Sequence, residues 1–147
     1  MKAGLIALVA ANLVTSFACT KPPQTASGPS PETAEARLSQ IPAADPQKYS
    51  RLRDMKGWHN PYLLLKPDGF WLLDVNNNEE RPLKPDQVLS ALAALPDSAW
   101  PYGRVVAVQE IVGGNSDADH ISLRKNRAIL AGTLGGAKVL ISWVPTS

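Results

Sequence analysis

Apolar and polar positions divide the chain into an apolar start, a polar stretch and a patterned remainder. In the remainder, Tyr62-Leu63-Leu64-Leu65-Lys66 and Phe70-Trp71-Leu72-Leu73-Asp74-Val75 flank Pro67-Asp68-Gly69. Proline presets one turn dihedral and glycine accepts the open one, so this pattern predicts a β-hairpin. Asn76 to Glu80 is polar and reads as a loop. Pro85 opens a helix to about Leu95, with Val88, Leu89, Leu92 and Leu95 on one stripe and Pro96 as its stop. Arg104 to Ile111 reads as a buried strand around the β-branched run Val105-Val106-Ala107-Val108, broken by Gly113-Gly114-Asn115. Asp117 or Asp119 then caps a helix to about Leu134, with Gly135-Gly136 as the expected stop. Val139 to Val144 is the last strand. Ahead of these, Asp45-Pro46 starts a helix carrying Tyr49, Leu52 and Met55, which Gly57 ends.

That order, a short helix followed by β-β-α-β-α-β, predicts one α+β domain over 45–147. The simplest architecture is a two-layer sandwich with helices on one face of about four mixed strands. Strands separated by helices need crossovers, and hence some parallel pairing.

The apolar start has a different use. Lys2 precedes the run Leu5 to Ala11, extended by Leu13-Val14, and small residues Ser16 and Ala18 stand before Cys19, the chain's single cysteine. A charged start, a short apolar segment and small residues at a cut site make a secretory leader over residues 1–18. The run falls short of the roughly 20 apolar residues of a membrane-spanning helix. Residues 19–44 follow, rich in Pro, Ser, Thr, Ala and Gln, with Leu38 and Ile41 as the large apolar side chains. This composition reads as a tether, because it offers little surface to bury against chain entropy. Within it, Ser30-Pro31-Glu32 can open a short helix to about Gln40.

Ala18-Cys19 after an apolar run resembles the lipobox of bacterial lipoproteins, with Ser16 where Leu is usual and Phe17 at the next position. The resemblance implies cleavage before Cys19 and acylation of its thiol; ordinary secretion and an uncleaved anchor are the alternatives. Thr20 in place of an aspartate implies the outer membrane, where the host has one. The element order also resembles the periplasmic domain of the ExbD/TolR type, on the turn at Asp68-Gly69, the helix after Leu83-Lys84-Pro85 and the final helix leading to an apolar strand. That likeness implies a small mixed sheet. The motor role of those proteins does not carry over, since the apolar segment here is short and holds no acid.

Charge changes the picture little. Fifteen basic residues stand against 13 acids, a net +2, which gives no footing for a nucleic-acid partner. Arg124-Lys125-Asn126-Arg127 is the one basic cluster and reads as a solvated helix face. No cofactor motif is present: no phosphate loop, no nucleophile elbow, no metal-protease helix.

Three groups of residues are candidates for chemistry. Glu110, Asp117, Asp119 and His120 lie at a strand end and a helix start, where carboxylates and an imidazole can hold a metal or act as base and acid. Trp58, His59 and Tyr62 form an aromatic and polar segment fit for a ligand or a peptide. Trp100, Tyr102 and Arg104 form another, with a guanidinium able to grip an anion. Four tryptophans in a small domain otherwise serve as core, with room for one exposed anchor. Three functions compete. The first is a non-enzymatic envelope lipoprotein that interacts with a protein partner through an open strand edge. The second is a metal-dependent or acid-base enzyme at the Glu110–His120 cluster. The third is a small-ligand binder at Trp58 or Trp100.

Overall fold

The computed structural model describes residues 30–52, 55–113 and 116–145. The leader and Cys19 lie outside the described residues. The fold is α+β, built on a five-stranded mixed sheet: β1 (Tyr62–Lys66), β2 (Gly69–Asp74), β3 (Glu79–Leu83), β4 (Val105–Glu110) and β5 (Leu140–Val144), in the order β3-β2-β1-β4-β5. The hairpin β1–β2 is antiparallel, with Leu65 opposite Phe70. Parallel pairing joins β1 to β4 and β4 to β5, as the crossovers require.

The α+β sandwich with about four mixed strands holds, and a fifth strand, β3, adds to it. Glu79 and Glu80, read as loop, pair with Asp74 and Leu73, and Arg81-Pro82-Leu83 complete β3. Four of its five residues are exposed, so it has no apolar alternation to mark it as a strand. Its place comes from the ladder β2 offers rather than from its own side chains.

Among the described residues, four α-helices accompany the sheet: α1 (Pro31–Ser39), the single turn α2 (Pro46–Tyr49), α3 (Val88–Ala93) and α4 (Asp117–Gly136). The register puts Leu63, Leu65, Phe70, Val106 and Val108 on one face, and these pack with Leu38 of α1, Leu92 of α3 and Leu130 and Leu134 of α4 in one core. The opposite face carries Tyr62, Leu64, Val105 and Ala107, closed over by Trp58 and Tyr102. Among the described residues, no helix is long and apolar enough to cross a membrane.

The folded unit starts earlier than the expected boundary at Asp45. Ser30 caps α1 and Pro31 opens it, as its sequence suggests. Ala34 and Leu38, one helical turn apart, are wholly buried, and Ile41 beyond the helix is 4 % exposed. This i, i+4, i+7 stripe lies against α3, and Arg37 pairs with Asp97 at the helix's side. Three apolar residues suffice to dock a helix too short to hold alone in water. Residues 30–44 therefore belong to the domain, not to the tether. Leu38→Ala is expected to cost about 2–4 kcal/mol of unfolding free energy through lost burial and a cavity. Urea denaturation checks it, and a loss near zero would mean that α1 does not contribute to the core.

The expected helix from Asp45 is also shorter than read. Asp45 caps α2 through Gln47 N–H, but the helix ends after one turn, and a 3-10 turn follows at Met55–Gly57. α4 runs through Gly135-Gly136 and ends where Lys138 takes the left-handed conformation (φ 56°). Its cap is Ser116, one residue before Asp117 and three before Asp119, the two expected caps.

Candidate functional site

The aromatic candidates serve mainly the fold. Trp58 and Tyr102 pack edge to face at 5.4 Å, with Tyr49 at 5.7 Å from Trp58. Trp58 Nε1 donates to the Pro61 carbonyl, and Tyr102 Oη donates to the Gly57 carbonyl. Asn60 between them is 4 % exposed and fully engaged. Its Nδ2 donates to the carbonyls of Gly103 and Val105, both at 2.7 Å, and its Oδ1 accepts from Tyr102 N–H at 2.9 Å. Asn60 lies inside the Trp58–Tyr62 candidate segment, but between His59 and Pro61 the sequence carries no signal of this clamp. Trp100 belongs to the other core, 4 % exposed, with its Nε1 unbonded. Trp58 and Trp100 are thus not brought together.

Tyr62 is likewise internal. Its hydroxyl bonds Gln109 Oε1 at 2.7 Å, and burial pushes its pKa above the usual tyrosine value. The folded state prefers the neutral phenol, so this contribution is complete below about pH 10 and is lost as pH rises through the folded pKa. Tyr62→Phe is expected to flatten that alkaline loss of stability while costing about 1 kcal/mol at neutral pH for the hydrogen bond. Denaturation of both proteins from pH 7 to 11 checks it; equal alkaline slopes would contradict it.

His59 is exposed beside an open pocket of about 370 Å³ at one end of the sheet, where Trp58, Val75, Arg81, Leu95 and Ala99 also contribute. Asp74 at its rim is already bound into the β2–β3 turn, accepting from Asn76 N–H and Asn77 Nδ2.

The carboxylate and imidazole cluster does not assemble. Glu110 faces Arg127 at 3.0 Å. Asp119 accepts from the Ser116 hydroxyl, whose oxygen accepts from Asp119 N–H, a reciprocal helix cap. Asp117 is exposed in the first turn. Of the four, Glu110 and His120 share a shallow cleft of about 280 Å³, and they share it with Arg124 and Arg127. Among the described residues, no three of His, Cys, Asp and Glu come close enough to hold a metal ion. The helix start uses Asp119 for capping, and the strand end uses Glu110 to neutralise an arginine.

The feature that stands out is an edge. β3 and β5 are the two outer strands. β3 carries the devices that keep an edge from pairing: Glu79, Glu80 and Arg81 for charge, and Pro82, which has no N–H to offer. β5 reads Leu-Ile-Ser-Trp-Val and carries neither charge nor proline. Leu140 is 53 % exposed and Trp143 36 %, on a strand where no residue is fully buried. Leu140 N–H donates inward to the Arg104 carbonyl, and its register partner is Val105. Backbone groups alternate in direction along a strand, so Ser142 and Val144 also point to β4. Ile141 and Trp143 then point their N–H and C=O groups outward, and no strand among the described residues pairs with them. Arg127 lies over the Trp143 ring at 4.2 Å. The exposed tryptophan is therefore the last one, which the sequence reads as ordinary strand.

Searches for similarity find nothing: no protein-family model, no curated protein and no solved structure matches the chain.

Proposed function

We propose that this protein is a non-enzymatic lipoprotein of the cell envelope that works as an interaction module, receiving a partner on the free edge of β5. The contrast between the two sheet edges carries this reading. One fold protects β3 with three charges and a proline and leaves β5 apolar and open. An open edge supplies main-chain hydrogen bonds to an added strand, and its exposed side chains supply specificity. Of the residues proposed as acid, base or metal ligands, Asp119 is spent on capping and Glu110 on an arginine, which favours binding over catalysis.

Location rests on the leader and Cys19. Export followed by acylation of the thiol would hold the chain at a membrane, the outer one where the host has two. Two or three acyl chains anchor firmly, whereas one holds weakly. With α1 docked, residues 20–29 are what remains between the anchor and the domain.

Two measurements test the reading. A photo-crosslinking residue placed at Leu140 or Ser142 is expected to give a discrete adduct in intact cells, while one at Arg81 on the β3 edge gives none. Adducts at neither strand, or at β3 alone, would sink the interaction role. Mass analysis of the mature terminus is expected to find acyl chains on Cys19; an unmodified cysteine there would sink the anchor.

A further inference from the structure

The charges around β5 narrow what it receives. Arg127 stacks on Trp143, and Arg124 stands beside it in the cleft that adjoins the end of β4. Lys138, fully outside the core, leads into the strand. Arg104, whose carbonyl holds Leu140, carries a guanidinium Nε that is buried without a hydrogen-bond partner. Against these four cations stands Glu110, already paired with Arg127. At the other edge the charges are even, with Glu79, Glu80 and Asp74 against Arg81, Lys84 and Lys66, the last paired with Glu80. A protein whose net charge is only +2 thus sets an excess of cations around its unprotected edge.

We infer that the β5 edge takes an extended, acidic segment of a partner protein, with apolar side chains at alternate positions and carboxylates near its ends. This rests on the edge reading above. The main chain would pair with the outward groups of Ile141 and Trp143. Alternate apolar side chains would lie against Trp143 and Leu140 on the two faces. Carboxylates at the ends would meet Arg124 and Arg127 on one side and Lys138 on the other, as charge-assisted contacts that set register and direction. A second copy of this chain fits less well. Antiparallel pairing of β5 with itself matches Leu140 with Val144 but sets the basic group around each Trp143 beside its equal.

The test is selection of random 12-residue peptides, displayed with neutral flanks, against the mature chain held by its N-terminal end. Enriched peptides are expected to alternate apolar residues and to carry Asp or Glu at one or both ends. Their synthetic versions should slow hydrogen exchange at the Ile141 and Trp143 amides. Ile141→Pro, which removes an outward N–H and leaves the β4 ladder, should abolish binding. The variant Arg124→Gln/Arg127→Gln/Lys138→Asn should bind at least about tenfold more weakly, and raising salt from about 0.05 to 0.5 M should weaken the parent similarly. Asparagine at 138 tolerates the left-handed backbone there. Should Ile141→Pro fail to fold, the exchange measurement on the parent decides alone. Neutral or basic peptides that protect the two amides would overturn the acidic partner and leave the edge reading intact. A β5-dependent dimer that excludes all peptides would overturn it in favour of a second copy. No peptide protecting these amides, with no dimer, would overturn the edge reading as well.

Discussion

Gly103→Ala is expected to cost at least about 3 kcal/mol of stability, among the largest effects a single methyl can have in this domain. Gly103 holds φ at 77°, where an L side chain is strained by about 1–2 kcal/mol. Space is the greater obstacle. A Cβ there would stand 2.3 Å from the Ala43 carbonyl oxygen and 2.9 Å from that of Pro42, both backbone atoms that no rotamer can move. The segment carrying them is the strap between α1 and α2. It is fixed by Arg104 N–H donating to the Pro42 carbonyl and by Asp45 N–H donating to the Tyr102 carbonyl, each at 2.9 Å. Relieving the clash means lifting the strap, which weakens both bonds at about 1 kcal/mol each and loosens the hold on α1. Urea denaturation measures the loss; a change below about 1 kcal/mol would show that the strap does not sit as described.

Asn60→Ala is the second large effect, expected at about 2–4 kcal/mol. The side chain joins the segment entering β1 to the segment entering β4. Truncation removes the acceptor of Tyr102 N–H and the side-chain donor to Val105. The Gly103 carbonyl keeps Val105 N–H, so the cost falls mainly on the other two groups. Asn60→Asp separates the terms. It keeps an acceptor for Tyr102 N–H but turns two donor contacts into repulsion between a carboxylate and carbonyls. Burial raises that carboxyl's pKa, so this variant should gain stability as pH falls and protonates it. Parallel denaturation at pH 7 and pH 4 checks both; Asn60→Ala within 0.5 kcal/mol of the parent would contradict the clamp.

Elements with strong periodicity were legible from sequence. The Pro67-Asp68-Gly69 hairpin, the helix after Pro85, the β-branched strand from Val105 and the final strand all stand within a few residues of their expected places. What was hidden depends on partners distant in sequence. Glu79 to Leu83 has no strand pattern of its own and is ordered by β2. Leu38 and Ile41 looked too few to hold a segment, because a count of large side chains overlooks Ala34 and the groove at α3 that it fits. Gly135-Gly136 looked like a stop, yet glycine permits a turn without requiring one, and α4 continues through both.

The candidate site was legible in a different measure. Aromatic and polar clusters near Trp58 and Trp100 drew notice because such residues make sites, and here they close the core and fasten two segments. The acids near His120 have the residue types of a site, yet Asp119 caps a helix and Glu110 pairs with Arg127. The β5 edge was foreseen only in kind. Leu140 to Val144 looks the same in sequence whether it runs through the middle of a sheet or along its border. Only the strand order shows that it is a border, and only the comparison with β3 shows that it is unprotected.

The central claim is therefore that β5 is open on its outer side, and amide hydrogen exchange measures it residue by residue. In the free monomer at neutral pH, the Ser142 and Val144 amides should be protected by β4, while those of Ile141 and Trp143 exchange fast, as solvent-facing amides do. Strong protection of all four would mean that the edge is already covered, and would contradict the account.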